Sequence, residues 1–141
     1  MRIAFIADPL ESFKIYKDST FAMMEEAARR GHSLYALLAE DMYVAAGVVR
    51  AKVSPISLTG HEDWFVRGAA EDCALLAFDA VVMRKDPPFD AEYLYATHLL
   101  SLAETQGARV FNRGQALRDY NEKLAILQFP EWTTPTLVSS Q

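Results

Sequence analysis

The chain has 141 residues, 51% of them hydrophobic and 23% charged, with 14 Lys and Arg against 19 Asp and Glu, a net charge of −5 at pH 7. This is the balance of one globular domain with a core of its own; it excludes a disordered chain and gives no general affinity for nucleic acid or an anionic membrane. Cys73 is the single cysteine, which excludes an internal disulfide and a cysteine-cluster metal site and fits a reducing, cytoplasmic setting.

Arg2 to Asp8 is a short, nearly continuous apolar run ended by Asp8-Pro9, the pattern of a strand buried on both faces and a second place where function can begin. The run is too short for a signal peptide, and no other apolar run approaches the ~18 residues of a membrane span. After a polar loop, Asp18 is set to cap a helix with an apolar stripe of Phe21, Met24, Ala27 and Ala28. Arg29 and Arg30 suit its last turn and Gly31 its stop. Leu34 to Leu38 is the second strand, so the chain opens with a β-loop-α-β unit whose crossover is right-handed and whose strands are parallel.

From Met42 to Leu58, β-rich runs around Gly47 with Pro55 as punctuation predict a β-hairpin at one edge. His61 to Phe65 reads as a short extra strand or a turn, and Val66 to Asp72 as loop by composition. Cys73 lies in Cys73-Ala74-Leu75-Leu76-Ala77-Phe78, where a buried structural thiol is expected rather than a nucleophile. Phe78 to Met83 is a central parallel strand. Asp90 caps a long amphipathic helix that runs to Gln106 and is closed by Gly107. Ala108 to Phe111 is another short strand, Gln115 to Phe129 a last helix stopped by Pro130, and Thr136 to Val138 a final β-prone run after Pro135. Together these predict an α/β domain: a doubly wound, mainly parallel sheet with helices on both faces and a β-hairpin insertion, flavodoxin- or Rossmann-like.

The most informative stretch is Met83-Arg84-Lys85-Asp86-Pro87-Pro88-Phe89-Asp90, where a strand delivers a run of charges onto a stiff two-proline turn. Each proline fixes its own φ and pushes the residue before it into extended conformation, so the polar side chains point in set directions at the carboxyl end of a strand. Open α/β sheets bind ligands there. Arg84 can grip a carboxylate in bidentate fashion and Asp86 can receive an amine; the alternative is a structural turn held by its own ion pair. In Lys17-Asp18-Ser19-Thr20, free backbone N–H groups, two hydroxyls and a lysine can hold a carboxylate or phosphate, or Asp18 can simply cap its helix. Asn112-Arg113-Gly114 with Arg118 and Asp119 reads as a strand-to-helix junction able to face an anion, or as a capped helix with solvated charges. In Asn121-Glu122-Lys123-Leu124, spacing alone makes Lys123 a surface lysine. His32, His61 and His98 are far apart and in no ligand spacing, so no metal site is expected. There is also no Gly-x-Gly-x-x-Gly after the first strand and no Gly-x-x-x-x-Gly-Lys-Ser/Thr, which speaks against a dinucleotide fold by that route.

Four elements in this order, the strand ending Asp8-Pro9, Lys17-Asp18-Ser19-Thr20-Phe21-Ala22-Met23, Arg84-Lys85-Asp86-Pro87-Pro88-Phe89-Asp90 with Tyr95-Ala96-Thr97, and Leu117-Arg118-Asp119-Tyr120-Asn121-Glu122-Lys123-Leu124, closely resemble the N-terminal part of bacterial glutathione synthetase. The likeness runs along essentially the whole chain. It implies a pre-ATP-grasp domain over residues 1–120 and, over 121–141, the start of the linker and ATP-grasp region. The enzyme so implied is a cytoplasmic, homo-oligomeric ATP-grasp ligase that joins γ-glutamylcysteine and glycine through an acyl-phosphate with ATP and Mg²⁺. By the same resemblance Lys17, Asp18, Ser19, Arg84 and Asp86 lie on the substrate side, and Lys123 matches the lysine that reaches the ATP phosphates.

The ATP-grasp half with its second lysine, glycine-rich loop and acidic magnesium ligands follows the matched region in that family, and the sequence ends before it. The resemblance therefore implies a truncated chain, inactive and without bound cofactor by itself. Two other readings stay open at this level: a stand-alone α/β small-molecule-binding or interaction module, and the matching domain of another ATP-grasp ligase.

Overall fold

β1 (Arg2–Ile6) forms the centre of the sheet in the computed structural model, which describes residues 1–60, 63–121, 123–139 and 141. It pairs in parallel with β2 (Ser33–Leu37) on one side and with β7 (Ala80–Met83) on the other, and β8 (Val110–Phe111) continues in parallel beyond β7. Alternation along β1 sends its side chains into two different cores. Ile3 and Phe5 meet Met24 and Ala27 of α1 (Ser19–Arg29), whereas Ala4 and Ile6 meet Tyr93, Ala96, Leu100 and Ala103 of α2 (Ala91–Thr105). The sheet thus carries a helix on each face, which is the doubly wound α/β arrangement expected from the apolar pattern.

Both long helices begin and end as their sequences dictate. Asp18 Oδ1 accepts the N–H groups of Thr20 (2.7 Å) and Phe21 (2.9 Å), and Gly31 past the far end has φ +75°. Asp90 Oδ1 accepts the Tyr93 N–H at 2.9 Å, and Gly107 has φ +100°.

The hairpin joins β3 (Met42–Ala45) to β4 (Val48–Leu58) through Ala46 (φ 49°) and Gly47 (φ 77°), two successive left-handed residues that match the twist of a two-residue turn. β4 is long enough to serve more than one partner along an edge of the sheet: its later half pairs antiparallel with β2, and its earlier half with β3. The order across the sheet is β3-β4-β2-β1-β7-β8.

Four expectations are corrected. Val66 to Asp72, expected as loop, largely forms β5 (Phe65–Arg67) and β6 (Glu71–Ala74), both antiparallel to β4. The backbone donors and acceptors of the long β4 edge recruit this polar segment, a tertiary effect that composition does not report. Of the stretch expected as extra strand or turn, His61 and Glu62 lie outside the described residues, and Phe65 opens β5. Cys73 is half-buried rather than buried: it packs against the edge of the core from β6, with its Sγ 4.0 Å from an Arg2 guanidinium nitrogen and 3.9 Å from Glu71 Oε2.

The last helix is also shorter than expected. α3 spans only Gly114–Asp119, and the chain continues in 3-10 turns at Ala125–Gln128 and Pro130–Trp132. Leu124, Leu127 and Phe129 are each about half exposed, so no packed face sustains a helix there, and unpacked short helices are marginal. Thr136 to Val138 forms no strand, and Leu137 is 90% exposed.

Candidate functional site

Connections from β1 run in opposite directions: through α1 to β2 on one side, while β7 lies on the other side with α2 and β8 following it. The strand order therefore reverses between β1 and β7, the place in an open α/β sheet where ligands bind beyond the carboxyl ends of the strands. A cavity of about 450 Å³ opens there. Asp8 enters from the end of β1, Arg84 and Asp86 from the end of β7, and Lys17, Asp18, Ser19 and Thr20 from the loop and first turn of α1; Ser12, Phe13 and Lys14 complete the wall.

Each part of the wall is held by identifiable contacts. The Arg84 N–H donates to the Ile6 carbonyl at 2.7 Å, extending the ladder one step past the strand. Its guanidinium donates to Ser19 Oγ (2.8 Å) and Thr20 Oγ1 (3.1 Å), so it grips two neutral hydroxyls on α1. Lys85 Nζ donates to Asp8 Oδ1 at 3.1 Å, and the Asp86 N–H to Asp8 Oδ2 at 2.9 Å. The peptide bond between Pro87 and Pro88 is cis.

The loop that carries Lys14 and Lys17 is anchored by aromatic packing. Phe13 stacks on Trp64 with ring centroids 5.7 Å apart, and Phe21 meets the same indole edge-on at 5.1 Å. At its start, Glu11 is held below its usual carboxyl range, first by its own backbone N–H and then by Arg67 at 3.0 Å.

The charges left over define what the crevice can bind. Among the described residues, the Lys14 ammonium and the Asp86 carboxylate have no side-chain partner, and the Lys17 ammonium only faces the Tyr16 ring at 5.8 Å. Cations and a carboxylate thus face one cavity, an arrangement that suits a small zwitterion whose carboxylate meets Lys or Arg and whose ammonium meets Asp86. Among the described residues no group of three or more His, Cys, Asp or Glu converges as a metal site.

Five sequence-predicted residues, Lys17, Asp18, Ser19, Arg84 and Asp86, come together in this cavity. Asp18 serves chiefly as the cap of α1. Lys123 is not in the wall; it lies exposed beyond α3, its N–H donating to Asn121 Oδ1 at 3.0 Å. Arg118 proves structural, donating to Thr97 Oγ1 (3.0 Å) and Ser101 Oγ (3.1 Å) and so seating α3 on α2. Sequence reasoning missed Lys14 altogether and gave Asp8 no partner. The available signal was position: Asp8 is the first charge after a buried strand.

Residues 1–118 match the family model described as "Prokaryotic glutathione synthetase, N-terminal domain". The chain is 56% identical over 140 residues to the glutathione synthetase of Ralstonia nicotianae, covering 99% of this chain and 43% of that protein. It is 54% identical over 145 residues to the glutathione synthetase of Bordetella pertussis (99% and 46%), and 54% identical over 146 residues to that of Neisseria meningitidis serogroup A (100% and 46%). The chain therefore spans less than half the length of the curated relatives it matches. With the family's domain matched over residues 1–118, the chain belongs to the prokaryotic glutathione synthetase N-terminal domain family.

Proposed function

We propose that this domain forms the substrate-side wall of an ATP-dependent ligase that joins γ-glutamylcysteine to glycine. The observation that carries the reading is the assembly of Lys17, Ser19, Arg84 and Asp86 in one crevice at the reversal of strand order. γ-Glutamylcysteine carries an α-amino acid group at its glutamyl end, the zwitterion that such a wall receives. In this reading Asp86 takes its ammonium, while Lys17 and Arg84 take carboxylate oxygens.

The reaction makes the cysteinyl carboxylate electrophilic by phosphorylation, after which the glycine amine attacks the acyl carbon and phosphate leaves. The contribution of this chain's residues is to hold the dipeptide still and neutralise its charges, so that the reacting carboxylate is presented toward the nucleotide. Lys123 is proposed to meet the ATP phosphates from beyond α3, outside the crevice. Mg²⁺, which would neutralise those phosphates, finds no converging acidic ligand set among the described residues.

Residues 1–120 are read as the pre-ATP-grasp domain and 121–141 as the start of the linker and ATP-grasp region. The family match ends at 118, α3 ends at Asp119, and the apolar side chains of Leu124, Phe129 and Trp132 beyond it stand exposed. The enzyme is further read as cytoplasmic and homo-oligomeric, following the sequence resemblance; no helix among the described residues is long and apolar enough to cross a membrane.

Steady-state kinetics of the full-length enzyme carrying this domain test the assignment. Lys17→Met should raise the KM for γ-glutamylcysteine and leave that for ATP in place, whereas Lys123→Ala should do the reverse with the fold intact. A Lys17→Met enzyme with an unchanged dipeptide KM would remove the crevice as the substrate site, and an unchanged ATP dependence in Lys123→Ala would remove the nucleotide role.

A further inference from the structure

We propose that Asp8 is the positioning residue of the crevice: it fixes the direction of the Asp86 carboxylate by gripping the loop after β7, and does not itself contact the ligand. The inference rests on the reading of the crevice as the γ-glutamylcysteine site.

Although Asp8 lines the cavity, both of its oxygens are already engaged by the facing loop. Oδ1 accepts from Lys85 Nζ at 3.1 Å and Oδ2 from the Asp86 N–H at 2.9 Å, a link of 77 and 78 residues along the chain. Only 32% of the Asp8 side chain and 27% of the Lys85 side chain are exposed, so the pair is shielded enough to outlast a surface ion pair. A ligand ammonium approaching Asp8 would have to compete with Lys85 for the same carboxylate.

Asp86 is the opposite case. Its carboxylate has no partner among the described residues, so only the backbone aims it. That backbone is pinned on both sides, by Asp8 at the N–H and by Pro87, which keeps residue 86 extended. Arg84 and Asp86 line the crevice, while the intervening Lys85 lines a separate cavity with Met42, Tyr95 and Leu99 and reaches Asp8 with its tip. This is the alternation of an extended segment. Arg84 is tied independently to Ser19, Thr20 and Ile6. Asp8 therefore holds the backbone behind a carboxylate that no side-chain contact orients, and a receiving carboxylate needs such support to bind well.

The test is a double-mutant cycle in the full-length enzyme with Asp8→Asn, Asp86→Asn and the pair, reading the KM for γ-glutamylcysteine and for ATP alongside calorimetric binding of the dipeptide. Asp8→Asn should weaken dipeptide binding about tenfold, the scale of one lost charge-assisted hydrogen bond. It should leave the KM for ATP in place, which general destabilisation would not do. Because Asp8 acts through Asp86, the double variant should be no worse than Asp86→Asn alone. Additive losses would mean that Asp8 contacts the ligand, and an unaffected Asp8→Asn beside a weakened Asp86→Asn would mean that it positions nothing; either overturns the inference alone. An Asp86→Asn enzyme that binds the dipeptide normally would instead sink the substrate reading and the inference with it. Should Asp8→Asn fail to fold, Lys85→Met removes one arm of the same grip, and an unchanged dipeptide KM there counts against the proposal.

Discussion

Arg84 keeps its full charge available because its partners are the hydroxyls of Ser19 and Thr20. A guanidinium paired with a carboxylate would be neutralised; one pinned by neutral acceptors is rigid and still attractive to an anion. Replacement by lysine keeps the charge but cannot fork onto two hydroxyls. Arg84→Lys should therefore raise the dipeptide Kd of the full-length enzyme by about tenfold, one to two hydrogen bonds' worth, with little change in melting temperature. Equal affinity would show that the fork is incidental. At this scale the lining of the candidate crevice was legible where side chains sit within a motif. Lys17, Asp18, Ser19, Arg84 and Asp86 each follow a strand or open a helix, where polar groups are not needed for packing. Asp8 was not legible as a partner of the loop after β7, because its placement depends on contacts between the ends of β1 and β7 that local sequence does not encode, and Lys14 was not legible as part of the wall because its loop is placed by the packing of Phe13 on Trp64.

The long helices were readable from their own caps and stripes, but the elements that depend on a neighbour were not. β5 and β6 exist because β4 offers an edge, and the stretch after α3 stays irregular because its apolar residues meet nothing. α3 persists over six residues for a specific reason: its first residue, Gly114, is buried against α2, where a methyl group would collide with the Thr97 carbonyl oxygen and crowd Ser101. Gly114→Ala should lift α3 off α2 and cost about 1–3 kcal/mol, the usual penalty of overpacking. Thermal or urea unfolding would read it directly, and a stability equal to the parent's would mean that α3 is free to move. The doubly wound core, by contrast, follows from the alternation in β1 and its two helices, which is why the fold class was evident before the details of its edges.

At the scale of the whole molecule, three carboxylates among the described residues are pulled below their ordinary range. Glu26 is held down from 4.5 to about 2 by Arg29 and then Arg30, while Asp72 is lowered first by Arg50 and then by Tyr43, and Glu11 as described above. Groups depressed in the folded state bind fewer protons there than in the unfolded chain, so their contribution is present above the unfolded value and lost as pH falls through the folded one. Stability should hold above about pH 4.5 and decline toward pH 2, less steeply in high salt because these pairs are largely solvent-facing. Urea midpoints collected from pH 5 down to pH 2 would check this, and a flat profile would exclude it.

The Ala46-Gly47 turn has a bearing on how far the crevice can be altered. Ala46 holds a left-handed backbone that a β-carbon resists, whereas asparagine tolerates it and Asn-Gly is the favoured pair for such a turn. Ala46→Asn should raise unfolding stability by about 1 kcal/mol, measurable as a higher urea midpoint; a lower one would mean that the turn needs alanine. The hairpin lies at the sheet edge away from the β1–β7 crevice. It therefore offers a stability reserve separate from ligand recognition, a tolerance for change on which redesigned or drifting binding sites can draw.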